Sequence, residues 1–127
     1  MKKKINVAKE NNKPSTLGFV LERVHELERH GFTAECDERK ITEEEFNKSL
    51  EWIVKNCEIS KKYSINSYAL KHVIENEIGH YIPNGAAIAA GIALGFECRL
   101  EGTGPNAEFK AEYTKEAKNR IKKMIIA

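Results

Sequence analysis

Residues 84 to 96 read Asn-Gly-Ala-Ala-Ile-Ala-Ala-Gly-Ile-Ala-Leu-Gly-Phe, with no charged side chain among them. The spacing predicts a short helix, capped at its start by Asn84 and stopped by Gly95. Alanine, glycine and isoleucine cover every side of it, and a helix that is apolar all round must be buried. Ala87, Gly91 and Gly95 recur every fourth residue, so one side is nearly bare backbone that another element can approach closely. The rest of the chain has to supply a cover for this helix. The stretch is also too short to span a bilayer: 85 to 96 is 12 residues, against the ~20 that a spanning helix needs.

The elements before it follow from periodicity. Residues 1 to 13 hold five lysines and one glutamate and no apolar run, and read as a basic flexible arm ahead of a single globular domain, 14–127. Pro14 and Ser15 announce a first helix, with Leu17, Val20, Leu21, Val24 and Leu27 at helical spacing. Gly31 is expected to stop it, with Phe32 folding back on the last turn. Its other face, Glu22, Arg23, Glu26 and Arg29, reads as solvated, as do His25 and His30. Thr42-Glu43-Glu44-Glu45 is a capping box that opens a second helix. Phe46, Leu50, Ile53, Val54 and Cys57 form its stripe, and Trp52, off the stripe, is expected to pack against another element. A third helix runs from about Asn66 to Ile78, with Leu70, Val73, Ile74 and Ile78 on one face and Tyr68, His72, Glu75 and Asn76 on the other.

After Gly95 the period changes from that of a helix to that of a strand. Phe96, Cys98 and Leu100 alternate with charged residues, as do Ala107, Phe109, Ala111 and Tyr113, and Gly102 to Asn106 is turn chemistry. Two registers keep the apolar residues on one face. Cross-strand charge chooses the one that sets Cys98 opposite Phe109, Leu100 opposite Ala107, Phe96 opposite Ala111, Arg99 opposite Glu108 and Glu97 opposite Lys110. Thr114 caps a final helix whose stripe is Ala117, Ile121, Met124 and Ile125. The expected fold is therefore α+β: a compact, mainly helical domain of four helices, one β-hairpin and a C-terminal helix. In element order, residues 66 to 113 resemble a winged helix-turn-helix.

That likeness points to nucleic acid but limits how it could be read. The second helix of the pair, 85 to 94, has no Arg, Lys, Asn, Gln or Ser with which to read base edges. Contacts would have to be to phosphates, with little sequence preference, through Lys2, Lys3, Lys4, Lys61, Lys62, Lys71 and the final helix with Lys118, Arg120, Lys122 and Lys123. The simplest reading of that final helix is that its stripe closes the core and its lysines face water.

Candidate chemistry is sparse. Tyr68, His72 and Glu75 could form a polar site on one helix face, but no nucleophile, phosphate loop or second carboxylate accompanies them in sequence. Glu77 and His80 give a single E-x-x-H where a di-iron bundle needs two. Acidic neighbours make Cys36 a poor nucleophile. Cys36, Cys57 and Cys98 are far apart and unpaired by motif, as in a cytoplasmic protein. No metal, cofactor or catalytic residue is assigned.

Ser67-Tyr68-Ala69-Leu70-Lys71-His72, then Glu75, Tyr81, Asn84-Gly85, Ile88-Ala89-Ala90 and Gly95-Phe96, resemble a family of small bacterial proteins from plasmids, phages and integrated elements. Glycine is more usual in that family at the place of Ala69. The resemblance covers about 30 residues and extends loosely to Pro105-Asn106. The family carries no settled activity, so the resemblance implies a mobile-element setting rather than a mechanism. Such accessory proteins include regulators and inhibitors of host defence, anti-CRISPR proteins among them. The expected function is a non-catalytic binding protein that touches nucleic acid through basic segments, or alternatively a protein-binding inhibitor or adaptor aimed at a host protein. No membrane partner is expected.

Overall fold

The structure, a computed structural model, describes residues 4 and 5, 13 to 32 and 38 to 126. Five helices and small antiparallel sheets make an α+β fold. In chain order the elements are β1 (Lys4–Ile5), α1 (Leu17–Arg23), β2 (Leu27–Glu28), β3 (Gly31–Phe32), α2 (Glu43–Asn56), β4 (Cys57–Ile59), β5 (Ile65–Asn66), α3 (Ser67–Ile78), α4 (Asn84–Ala93), β6 (Cys98–Leu100), β7 (Ala107–Phe109), β8 (Ala111–Tyr113) and α5 (Lys115–Ile126).

Helix α4 is the centre, and all of its residues are buried. It packs against α1, α2, α3 and the β2–β3 hairpin. The small side chains serve two close approaches. A Cβ at Gly91 would lie 2.6 Å from Cε1 and Cζ of Phe109, so the Phe109 ring sits flat on the bare helix backbone. A Cβ at Gly85 would run into the carbonyls of Glu28 and Arg29. The expected cap is corrected here. Pro83 is the N-cap residue and gives no side-chain bond, and Asn84 is the first helical residue. The Arg29 carbonyl accepts from Gly85 N–H at 2.9 Å, so one orphan donor is satisfied by another part of the chain.

That approach explains why the first helix is shorter than its spacing predicts. Thr16 caps α1, its Oγ1 accepting from Phe19 N–H at 3.1 Å. The helix ends at Arg23, and Leu27–Glu28 pairs with Gly31–Phe32 as a hairpin, so Gly31 lies in a strand rather than at a helix stop. Val24, Leu27 and Phe32 are buried all the same, because a turn can place these residues inward as well as a helix can. Arg29 is not solvated. It is only 7% exposed and forks onto Glu45 at 2.7 and 2.6 Å, with Nη1 also donating to the Lys40 carbonyl at 2.8 Å. Glu45 completes the expected capping box with Thr42 at the same time.

The stripe on α2 is narrower than predicted: Phe46, Ile53 and Cys57 are buried, whereas Val54 is exposed and Trp52 takes the core position instead. Trp52 Nε1 donates to Glu77 Oε1 at 3.1 Å, and Glu77 also accepts from Arg120 Nε at 3.0 Å, tying α2, α3 and α5 together. On α3, Leu70 and Ile74 are buried and Ile78 is exposed. The Asn66 side chain accepts from Tyr68 and Ala69 N–H at its start, and Gly79 ends it with φ +68°. Thr114 caps α5, accepting from Ala117 N–H at 3.2 Å.

The hairpin has the register that cross-strand charge selects. Cys98 faces Phe109, Arg99 faces Glu108 and Leu100 faces Ala107. The ion pairs follow, Arg99–Glu108 and Lys110–Glu97 each at 3.0 Å. The hairpin is not alone, however. It forms the middle of a four-stranded sheet in the order β1-β6-β7-β5. Its second strand breaks at Lys110, and β8 leaves to pair with β4, so Ala111 faces Ile59 rather than Phe96. Strands β4 and β5 have no counterpart in the sequence pattern, since runs of two or three residues carry no period to read. Lys4 and Ile5, expected within a flexible arm, form an edge strand against Arg99 and Cys98. Lys2, Lys3 and Cys36 lie outside the described residues. With α4 covered on every side, no face of it is open to a major groove, and the winged-helix likeness rests on element order alone.

The seat of Phe109 on Gly91 can be tested against a second helical glycine. Gly91→Ala should lower Tm by ~3–10 °C, the effect of ~1–3 kcal/mol of overpacking. At Gly18 of α1 no described atom lies within 4 Å of an added Cβ, and Gly18→Ala should raise stability by ~0.4–1 kcal/mol. Equal thermal melts for the two variants would show that the ring does not rest on α4.

Candidate functional site

One cleft gathers side chains from five separated segments. His30 comes from the β2–β3 turn, Tyr68 and Lys71 from α3, Tyr81 from the loop after α3, Asn84 from the start of α4, and Pro105 and Asn106 from the β6–β7 loop. Its volume is about 360 Å³, within the ~300–1,000 Å³ of small-ligand sites. Burial of α4 brings these segments together, because Asn84 bridges two of them. Its Nδ2 donates to the His30 carbonyl at 3.3 Å and to Asn106 Oδ1 at 3.0 Å. These two acceptors fix which end of the Asn84 amide is nitrogen. Asn84 Oδ1 is buried and finds no partner among the described residues. Asn106 accepts through its oxygen, which leaves its amide nitrogen as a donor.

Lys71 lies in the wall of the cleft and is only 7% exposed. Its ammonium is 2.8 Å from Glu75 Oε1, 4.8 Å from the Tyr81 ring centre and 5.7 Å from that of Tyr68. Each tyrosine is 51% exposed, so each ring offers one side to solvent while the other lies near a cation. Glu75 also accepts from Ile82 N–H at 3.1 Å and faces His72 Nδ1 at 3.3 Å. Burial raises the Glu75 pKa, but the Lys71 and Ile82 hydrogen bonds and the nearby Lys71 and His72 charges outweigh it and hold the carboxyl below the usual range. The Tyr68 and His72 rings meet edge to face at 4.5 Å.

The expected polar trio Tyr68, His72 and Glu75 is thus brought together, with Lys71 as its fourth member. Lys71, expected as a phosphate contact, is buried and paired with Glu75. Arg120 is likewise engaged, by Glu77 and Asn56. Lys61 and Lys62 are exposed, as are Lys118, Lys122 and Lys123 on α5. The two groups do not form one stripe. They lie at opposite ends of the β4–β8 ribbon, which sets Glu58 opposite Glu112 between them. Local periodicity missed His30, Tyr81, Asn84, Pro105 and Asn106 as lining. The available signal was the resemblance, which includes Tyr81, Asn84 and Pro105–Asn106 where no helical or strand pattern requires them.

Among the described residues, the lining of the cleft holds no serine, threonine or cysteine to act as a nucleophile. Glu75 accepts from several donors and is held ionised, which makes it a weak base. The Cys57 and Cys98 thiols are free, and burial pushes both up to about 12, far from the thiolate a nucleophile needs. Among the described residues, no group of three or more His, Cys, Asp or Glu is placed to hold a metal. A second concavity of about 190 Å³ lies beside Trp52, Asn56 and Ile78, where Trp52 and Asn56 are already engaged by Glu77 and Arg120. No helix among the described residues is long and apolar enough to cross a membrane. No protein-family model, curated protein or solved structure matches the chain.

The lowered carboxyls set the acid limit of stability. Glu75, Glu45 and Glu77 are each depressed in the fold. Their bonds therefore contribute stability that is present above the ordinary carboxyl value of 4.5 and is lost as pH falls through the lowered values. Thermal melts should be nearly level from pH 7 to ~5 and fall steeply below ~4. Glu75→Gln should melt lower throughout, because it strands the Lys71 charge, yet show a shallower acid slope. An unchanged slope would show that Glu75 does not carry this linkage.

Proposed function

We propose that the chain is a non-catalytic protein-binding module, an inhibitor or adaptor that grips its partner at the Tyr68–Tyr81 cleft. The observation that carries this reading is the pair of half-exposed tyrosine rings beside a buried, mutually neutral Lys71–Glu75 pair. Tyrosines in a concave site with a rigid polar floor are the usual anchors of protein interfaces, whereas phosphate backbones select open clusters of unpaired cations. Here Lys71, Arg29, Arg99, Lys110 and Arg120 all have acidic partners. The resemblance to small mobile-element proteins supports the same face, since Tyr68, Lys71, Tyr81, Asn84 and Asn106 line this cleft and Glu75 is paired with Lys71. A plasmid or phage accessory protein directed at a host protein is the matching role. We place it in the cytoplasm, where free thiols such as Cys57 and Cys98 persist.

A second reading has its own support. Lys118, Lys122 and Lys123 are exposed along α5 and could hold a phosphate backbone without sequence preference.

One experiment separates the two. The full chain, a Tyr68→Ala/Tyr81→Ala variant and a Lys118→Gln/Lys122→Gln/Lys123→Gln variant are immobilised and challenged with bacterial lysate, with and without nuclease. Under the first reading a defined protein is retained regardless of nuclease, at least ~10-fold less by the tyrosine variant and equally by the lysine variant. Retention of nucleic acid that vanishes with salt and with the lysine variant, but survives loss of the tyrosines, would establish the second reading and defeat the first.

A further inference from the structure

We propose that the cleft takes an extended, proline-bearing peptide segment, with the proline ring laid on Tyr81 and Tyr68 and a backbone carbonyl accepting from Lys71 Nζ or Asn106 Nδ2. This rests on the protein-binding reading and names what part of a protein the site would hold.

The argument starts from which hydrogen-bonding groups the cleft leaves over. Glu75 is occupied by Lys71, Ile82 N–H and His72. Asn106 Oδ1 is occupied by Asn84, and Asn84 Oδ1 is sealed from solvent. Among the groups that remain, the further N–H groups of Lys71 and the Asn106 amide nitrogen can only donate, and the tyrosine hydroxyls can donate or accept. An occupant that brings acceptors suits these groups best. Its acceptors must also be neutral. A phosphate or carboxylate at those N–H groups would meet the charge of the Glu75 carboxylate, 2.8 Å from Lys71 Nζ, at close range. A peptide carbonyl gains a charge-assisted hydrogen bond without that conflict.

The walls add shape. Two tyrosine rings and Pro105 present flat, half-exposed apolar faces around those donors. Proline has no N–H, fixes its own φ, and biases its neighbours to an extended backbone with unpaired carbonyls. A proline-bearing segment is thus acceptor-rich, donor-poor and rigid, and aromatic-lined grooves with a few donors are the general means of holding one. The same rigidity limits the ordering entropy of binding to a cleft of this size.

The test is selection from a displayed library of random dodecapeptides on the full chain, followed by titration of enriched peptides by fluorescence anisotropy. Enriched peptides should carry prolines. Their affinity should fall about tenfold in Tyr81→Ala and in Tyr68→Ala, and several-fold in Asn106→Asp, which keeps the acceptor toward Asn84 but removes the donor. Far-ultraviolet dichroism identifies any variant that has failed to fold, and the remaining two then decide the outcome. Enrichment of proline-free peptides that still depends on Tyr81 would overturn the proline assignment and leave the protein-binding reading standing. Absence of enrichment, or binding indifferent to both tyrosines and to Asn106, would overturn the inference. The lysate experiment above then decides separately whether a protein is bound at all.

Discussion

A helix without charge and nearly without large side chains is stable in water only when other elements cover it on every side. Helix α4 meets that condition. Its smallest residues mark where the covers come closest, Phe109 on Gly91 and the Arg29 carbonyl on Gly85. The second approach has further consequences. A carbonyl can reach the start of α4 only if the chain after α1 turns back, and that turn carries the Arg29 side chain inward to Glu45. A buried guanidinium without a carboxylate would be costly, so the capping residue of α2 serves as its counter-ion. One close packing contact thus links α1, α2, α4 and the short hairpin.

The cleft is a product of the same packing. Asn84 is the first residue of the buried helix, and its amide is spent on the β2–β3 turn and the β6–β7 loop rather than on capping. These bonds fix two walls of the cleft, and α3 with its following loop supplies the others. Lys71 and Glu75, one turn apart on α3, neutralise each other behind the tyrosine rings. The result is a concave, nearly neutral surface on rigid supports. Two of the basic residues that look available in the sequence, Lys71 and Arg120, are committed to such internal pairs.

Several features were legible in the residues themselves: the buried character of α4, the capping box at Thr42, the extent of α3, the cap at Thr114 and the register of β6 on β7. Each depends on contacts a few residues apart or on the opposing charges of two adjacent strands, and so is encoded locally. The site was half legible. Tyr68, His72 and Glu75 share a helix face and could be grouped by spacing, and Tyr81, Asn84, Pro105 and Asn106 entered only through a resemblance that gave no reason for them.

What the sequence by itself determined was the burial of α4 and the starts of α2, α3 and α5, because these follow from side-chain size, polarity and hydrogen-bonding neighbours within a turn or two. Tertiary structure alone decided the rest. It turned residues 24 to 32 from helix into hairpin, since Val24, Leu27 and Phe32 bury equally well either way and only the close approach to Gly85 chooses. It moved Arg29 and Lys71 from solvent to the interior, because a cation's place depends on a carboxylate meeting it, and Glu45 comes to Arg29 from another helix. It also built the cleft, which no local pattern can specify because its lining residues become neighbours only once α4 is buried.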